Sequence, residues 1–104
     1  MEFEFTGEVW YWRGPAPFYF VSVPAEQSAE IKAAANRITF GWGMIPVNAT
    51  IGGTTWYTAM FEKNGLYALP IKADIRKKEG VQDGELIAVH IEITRSRHAS
   101  EGPY

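Results

Sequence analysis

Residues 2–12 alternate between apolar and polar side chains, and this alternation limits the possible folds more than any other feature of the chain. One face of the segment carries Phe3, Phe5, Val9 and Tyr11, and the other carries Glu2, Glu4, Thr6 and Glu8. A period of two is typical of a β-strand with one buried face, so the rest of the chain must supply a sheet and a core. Gly7 interrupts the apolar row and predicts either a bulge or a close backbone approach.

Turn residues divide the rest of the chain into further strands and two helical segments. The strands are predicted over residues 18–23, 44–51, 54–61, 66–71 and 85–94, with hairpin turns at Gly52-Gly53 and at Asn64-Gly65. A helix is predicted over residues 25–36, directly after Pro24, because apolar residues recur there with helical spacing. The members of that stripe are Ile31, Ala34, Ala35 and Ile38. Residues 72–79 predict a helical turn that ends at Gly80.

About six strands and one helix indicate a mainly β fold. We expect a small, roughly six-stranded β-barrel with the α-helix packed on it or closing it, since barrel closure leaves no strand edge unpaired. A chain of 104 residues has the length of one domain. That domain is predicted over residues 1–94, and residues 95–104 lack periodicity and form a C-terminal tail.

Composition excludes several classes of function. The chain has no cysteine and two histidines, which excludes disulfides and thiol nucleophiles and argues against a transition-metal site; no cofactor is expected. A net charge of −2 argues against general affinity for nucleic acid or for anionic membranes. The N-terminus has no signal-peptide pattern, and no apolar stretch is long enough to span a membrane. We therefore expect a soluble, cytoplasmic protein.

Five short motifs follow one another along the chain: Phe20-Val21-Ser22-Val23-Pro24, Pro46-Val47, residues 51–58 (IGGTTWYT), residues 69–76 (LPIKADIR) and residues 79–85 (EGVQDGE). This ordered series resembles a known bacterial family, the domain of unknown function 1905. The resemblance covers about residues 1–94 and implies a compact β-barrel with one helix. It carries no catalytic residues, because none are established for the family. Some members are linked to a second small domain named for bacteriocin protection, which this chain lacks.

The sequence departs from the family's pattern in two places. Trp42 and Met44 occupy a stretch that is usually more polar and basic, and Glu85 stands where Asp is more typical. Residues 66–93 are also similar to the half-unit of swapped-hairpin regulators of the AbrB and MazE type. Those regulators are obligate dimers that bind DNA, so this partial likeness suggests a dimeric DNA-binding alternative.

The four tryptophans are candidate ligand-binding residues. Trp10 and Trp12 fall on the polar face of the first strand, where neighbouring indoles would form a stacking platform for a planar ligand or a hot spot for a partner. The opposing interpretation is that a second layer covers this face and makes both indoles core residues. Trp42, between two glycines, is either a lid or a plug in the barrel mouth, and Trp56 is expected to pack in the core.

Charged residues supply two further candidate sites. Lys72, Arg76, Lys77 and Lys78 form a basic cluster, which is either an anion or nucleic-acid contact or a solvated helical turn. Arg76 could instead pair with a carboxylate and fix the turn. His90 could act as a general base only with a second group, such as Glu8 or Glu92, within reach.

The leading hypothesis is a non-enzymatic binding module. It would hold a small molecule or a protein segment at an aromatic-lined barrel mouth or face, with Trp10, Trp12, Trp42, Trp56 and Arg76 as the ligand-binding residues. One alternative is the dimeric DNA-binding regulator, which would use the basic cluster. The other is a small hydrolase or isomerase that would use Glu8, His90 or Arg76. The sequence is compatible with a monomer or a homodimer, and identifies no catalytic set of residues and no specific partner.

Overall fold

The computed structural model describes residues 1–14, 18–38 and 44–94, apart from the side chains of residues 35–38. Its elements are β1 (Glu2–Trp12), β2 (Phe18–Ser22), α1 (Ala25–Ile38), β3 (Ile45–Ile51), β4 (Thr54–Lys63), β5 (Leu66–Ile71), α2 (Ala73–Glu79) and β6 (Leu86–Ile93). The predicted segments are confirmed, with ends that differ by one or two residues. The helical turn after β5 is a short helix in its own right.

The strands form a closed barrel in the order β1-β2-β5-β4-β3-β6, and each adjacent pair is antiparallel. The prediction of a mainly β, six-stranded barrel is therefore confirmed. The asparagine and glycine of the β4–β5 turn, Asn64 and Gly65, have φ angles of 54° and 85°. Two successive left-handed residues match the right-handed twist of a tight hairpin.

Strand β1 closes the barrel because it pairs with two neighbours. Its residues 2–8 pair with β6, and its residues 9–12 pair with β2. Gly7 lies where the partner changes, and a Cβ placed on it would lie 2.7 Å from the carbonyl oxygen of Ser22 and 2.7 Å from Cγ2 of Val21. Gly7 stays in register with Ile87, so it marks the close backbone approach and not the bulge. The alternation of faces therefore continues to Trp12.

The inner faces of the strands form one apolar core. Its members include Phe5, Val9, Val21, Val47, Trp56, Met60, Leu69 and Ile91, all buried. Helix α1 adds Ile31 to this core, as the predicted apolar stripe requires, and Ala34 of the same stripe is buried as well. The stripe's other members, Ala35 and Ile38, have side chains outside the described set.

Helix α1 covers one end of the barrel. Ser28 of α1 is buried; its hydroxyl donates a hydrogen bond to the carbonyl of Val23 and accepts one from the backbone N–H of Tyr67. Gln27 donates to the carbonyl of Glu4, at the start of β1. Burial is the main cause that raises the pKa of the Tyr67 phenol, and the nearby Glu62 carboxylate raises it further. The charge of Lys32 acts in the opposite direction and lowers this pKa. These hydrogen bonds from Gln27 and Ser28 therefore join α1 to the ends of several strands.

Replacing Gly7 by alanine should lower the free energy of unfolding by about 1–3 kcal/mol, because the new Cβ would overlap backbone and side-chain atoms of β2. Urea denaturation followed by circular dichroism measures this change. Gly53→Ala is the matched control: a Cβ there meets nothing within 4 Å, so its effect should stay within about 0.5 kcal/mol. Equal effects of the two substitutions would contradict the close approach at Gly7.

Candidate functional site

Helix α2 lies at the opposite end of the barrel from α1. It begins directly after β5 and ends at Gly80, whose φ of 67° allows its N–H to bond the carbonyls of Arg76 and Lys77. Ile75 and the following Val81 are buried in the barrel core, and these two residues anchor the helix. Because neighbouring strands are antiparallel, the strand ends at this end of the barrel include the end of β1, the start of β2 and the start of β4.

A polar contact holds the last residue of α2. The hydroxyl of Thr54, the first residue of β4, donates a hydrogen bond to the Glu79 carboxylate. Thr54 is buried, so this bond satisfies its hydroxyl away from water. Helix α2 is thus held by an apolar anchor on one side and by a charge-assisted hydrogen bond on the other.

Two tyrosines extend the inner face of the β1–β2 pair beyond the core. Tyr11 and Tyr19 are paired in register, and their ring centroids are 4.9 Å apart with the planes tilted by 57°. Together with α2 they border a cavity of about 380 Å³, which we call the mouth cavity. It is lined by Tyr11, Phe18, Tyr19, Ile71, Ala73 and Arg76. Its surface is thus aromatic and apolar, with two phenols and one guanidinium.

Arg76 is the charged residue of the mouth cavity. Its Cζ atom lies 4.1 Å from the centroid of the Tyr19 ring, a distance typical of a cation–π contact. Its Nε is buried and has no hydrogen-bond acceptor. Within the described ranges the ion pairs are Lys32–Glu62 and His90–Glu2, so no described carboxylate pairs with Arg76. The hypothesis that a carboxylate fixes Arg76 receives no support.

The other members of the basic cluster do not share this environment. Lys72, Lys77 and Lys78 are exposed, whereas Arg76 is half-buried. The cluster is therefore one cation beside the cavity and three solvated cations on the outer surface of α2.

Trp10 and Trp12 lie on the outer face of the barrel, as the alternation predicts. The Trp10 indole N–H donates to the Ser22 hydroxyl over 2.9 Å, and its ring stacks on Phe20 with centroids 4.9 Å apart. Trp12 also contacts Phe20 and remains 42% exposed. Phe18 and Phe61 complete this outer aromatic cluster around Phe20. Because Phe20 at the centre of the cluster is buried, this part of the cluster has a structural role.

The structure does not bring the four tryptophans to one place. Trp56 is 5% exposed inside the barrel, where its N–H donates to the carbonyl of Pro70. This matches the expectation that Trp56 packs in the core, and it separates Trp56 from Trp10 and Trp12. Trp42 lies outside the described residues.

The residues of the hydrolase hypothesis are also apart. His90 Nε2 contacts the Glu2 carboxylate at 2.8 Å, and His90 pairs in register with Glu4. Glu8 pairs with Leu86, four residues away along β6, which is about 13 Å at the rise of a strand. Arg76 lies at the α2 end of the barrel. No general acid–base pair is formed from Glu8, His90 and Arg76.

Among the described residues, no group of three or more histidine, cysteine, aspartate or glutamate side chains could hold a metal ion. None of the described helices has the length and apolar character needed to cross a membrane.

Sequence reasoning missed the tyrosines of the mouth cavity. The alternation predicts that Tyr11 lies on the inner face with the core residues. For Tyr19 the sequence predicts only that it lies in the second strand. One signal could have identified them: the alternation of β1 continues to Trp12, and the sequence that follows is rich in Gly and Pro, which predicts a turn. The inner-face residue nearest such a turn lies at the rim of a barrel, where a tyrosine can combine an apolar ring with a hydroxyl in contact with water.

Replacing Arg76 by methionine should leave the free energy of unfolding unchanged or raise it by about 1 kcal/mol. The substitution loses a cation–π contact of about 0.5–1 kcal/mol but removes a buried N–H without an acceptor, which costs about 1–3 kcal/mol. Thermal and urea denaturation measure the difference, with Lys77→Met on the exposed side of α2 as control. A loss above about 1 kcal/mol for Arg76→Met alone would make Arg76 a structural residue.

Comparison with known proteins gives a family and no activity. The model of a family described as domain of unknown function (DUF1905) matches residues 5–91. The matched region runs from Phe5 in β1 to Ile91 in β6 and so contains β2 to β5, α1, α2 and most of β1 and β6. No curated protein matches the sequence.

Proposed function

Because this chain belongs to the DUF1905 family, whose function is unknown, we propose a role from the geometry of its α2 end. The protein is a non-enzymatic binding module that holds a small organic molecule in the mouth cavity. The observation that carries the proposal is the cavity itself, with Tyr11, Tyr19 and Arg76 in its wall. A volume of about 380 Å³ lies within the usual range of small-molecule sites, about 300–1,000 Å³.

The chemistry of the cavity wall favours binding over catalysis. Its side chains offer aromatic surface, two phenol hydroxyls and one permanently protonated guanidinium. An aromatic wall that carries a few polar groups is typical of sites that orient a ligand. General acid–base catalysis near neutral pH instead relies mostly on imidazole or carboxylate groups, and the described His90–Glu2 pair lies on the outer face of the barrel.

The DNA-binding alternative receives less support. The half-unit of a swapped-hairpin regulator requires a second chain to complete its barrel, whereas all six strands here come from one chain. Lys77 and Lys78 of the short helix α2, and Lys72 just before it, are exposed, and the chain carries a net charge of −2. A solvated helical surface accounts for these lysines without a nucleic-acid partner.

The proposal predicts a bound small molecule on protein that is purified gently from its own host. Native mass spectrometry should detect a reproducible small-mass adduct on the wild-type chain. Ala73 lines the mouth cavity and is itself exposed, so Ala73→Trp should fill the cavity and abolish the adduct. Ala33→Trp, on an exposed position of α1, is the matched control and should keep it.

Two outcomes would contradict the proposal. An adduct that persists on Ala73→Trp would place the ligand elsewhere on the protein. A bare wild-type chain, combined with no thermal stabilisation by any compound of a metabolite library, would remove the small-molecule role altogether.

A further inference from the structure

We propose that the ligand of the mouth cavity is an organic anion, with a carboxylate or phosphate group on a flat apolar body, and that Arg76 binds the anionic group. This inference rests on the proposed function and gives the chemical class of the ligand. The argument uses the charge of Arg76, the orientation of its guanidinium and the shape of the surrounding aromatic wall.

The charge of Arg76 lacks a counterion in the described structure. The guanidinium is half-buried against Tyr19, its Nε has no acceptor, and no described carboxylate pairs with it. A permanently charged group that is partly removed from water loses solvation free energy unless an anion or strong acceptors replace the water. An anionic ligand in the mouth cavity would supply the missing counterion and would accept hydrogen bonds from the terminal nitrogens of Arg76.

The orientation of the guanidinium suits such a ligand. Contact with the Tyr19 ring, 4.1 Å from Cζ to the ring centroid, restricts the movement of the group, so less conformational freedom is lost when a ligand binds. Nε is enclosed by protein, which leaves the two terminal nitrogens for the ligand. Paired N–H donors on a rigid plane match the two oxygens of a carboxylate or a phosphate.

The other residues of the cavity wall determine the shape and apolar character of the uncharged part of the ligand. Tyr11 and Tyr19 present two rings tilted by 57°, and Phe18 and Ile71 add apolar surface. Aromatic rings favour offset or tilted packing against a flat ring. The ligand class is therefore an aromatic or similarly flat acid, whose ring lies among Tyr11, Phe18 and Tyr19 while its anionic end faces Arg76.

The local charge favours anions although the chain as a whole is acidic. Residues 72–79 carry four cationic side chains against the carboxylates of Asp74 and Glu79, in a chain with a net charge of −2. Glu79 is bonded to Thr54, which turns one of these carboxylates towards β4. Cationic side chains therefore outnumber carboxylates in this segment beside the mouth cavity, which would favour the approach of anions.

Matched probes test the charge preference directly. Isothermal titration calorimetry with 2-naphthoate and its neutral analogue 2-naphthamide compares ligands of the same shape and ring. The wild-type chain should bind the naphthoate at least about tenfold more tightly, the factor expected for a charge-assisted hydrogen bond. Arg76→Gln should bring the two affinities to within about threefold, and Arg76→Lys should keep part of the preference.

Lys78→Gln is the control, because it removes the same charge from an exposed position of α2. It should preserve the preference of the wild-type chain for 2-naphthoate. Circular dichroism establishes that each variant is folded before titration. If Arg76→Gln does not fold, Arg76→Lys replaces it as the test variant. Comparison of 2-naphthoate with 2-naphthyl phosphate distinguishes carboxylate from phosphate as the preferred anionic group.

Three results would overturn the inference. Equal affinities of the wild-type chain for naphthoate and naphthamide, both lost in Ala73→Trp, would refute the anionic class but keep the proposed small-molecule site. An equal loss of preference in Arg76→Gln and Lys78→Gln would assign the effect to general charge. If no naphthyl probe binds, and benzoate and benzamide also fail, the inference and the aromatic site on which it rests both fail.

Discussion

The double pairing of β1 is the constraint on which the rest of the structure depends. One strand can hydrogen-bond first to β6 and then to β2 only if its backbone passes very close to β2 at the change of partner, and Gly7 provides the space. The same pairing keeps the alternation of faces in phase along the whole strand. As a result Phe5 and Val9 face the core, Trp10 faces outward, and Tyr11 reaches the rim of the barrel beside α2.

The two ends of the barrel differ in how completely their polar groups are satisfied. At the α1 end the buried Ser28 hydroxyl both donates and accepts a hydrogen bond, and so joins the helix to Val23 and Tyr67. At the α2 end the cavity contains a half-buried cation, Arg76, whose Nε has no acceptor. Buried polar groups without partners are rare in folded proteins, and such local departures concentrate at functional sites. This contrast between the ends is the reason to place the site at α2.

Much of the local structure could be predicted from the sequence, because its signals act over a few residues. The alternation of β1, the start of α1 after Pro24 and the turn at Asn64-Gly65 all depend on neighbouring positions. The rest of the strand order could not be predicted, since the pairings β1–β6, β2–β5 and β3–β6 join segments that are distant in the sequence. The same limit applies to the site. The contact between Tyr19 and Arg76 arises only when β2 and α2 meet at one end of the closed barrel, and no local pattern encodes it.

The most direct test of the central claim is a titration of ¹⁵N-labelled protein with 2-naphthoate, followed by two-dimensional NMR. If the ligand occupies the mouth cavity, the amide signals of Tyr11, Tyr19 and Arg76 should shift in a saturable way. The amide of Ser28 at the α1 end and the indole N–H of Trp10 on the outer face should remain unchanged. Saturable shifts centred on the Trp10 indole, with Arg76 unaffected, would place binding on the outer aromatic cluster and contradict the account.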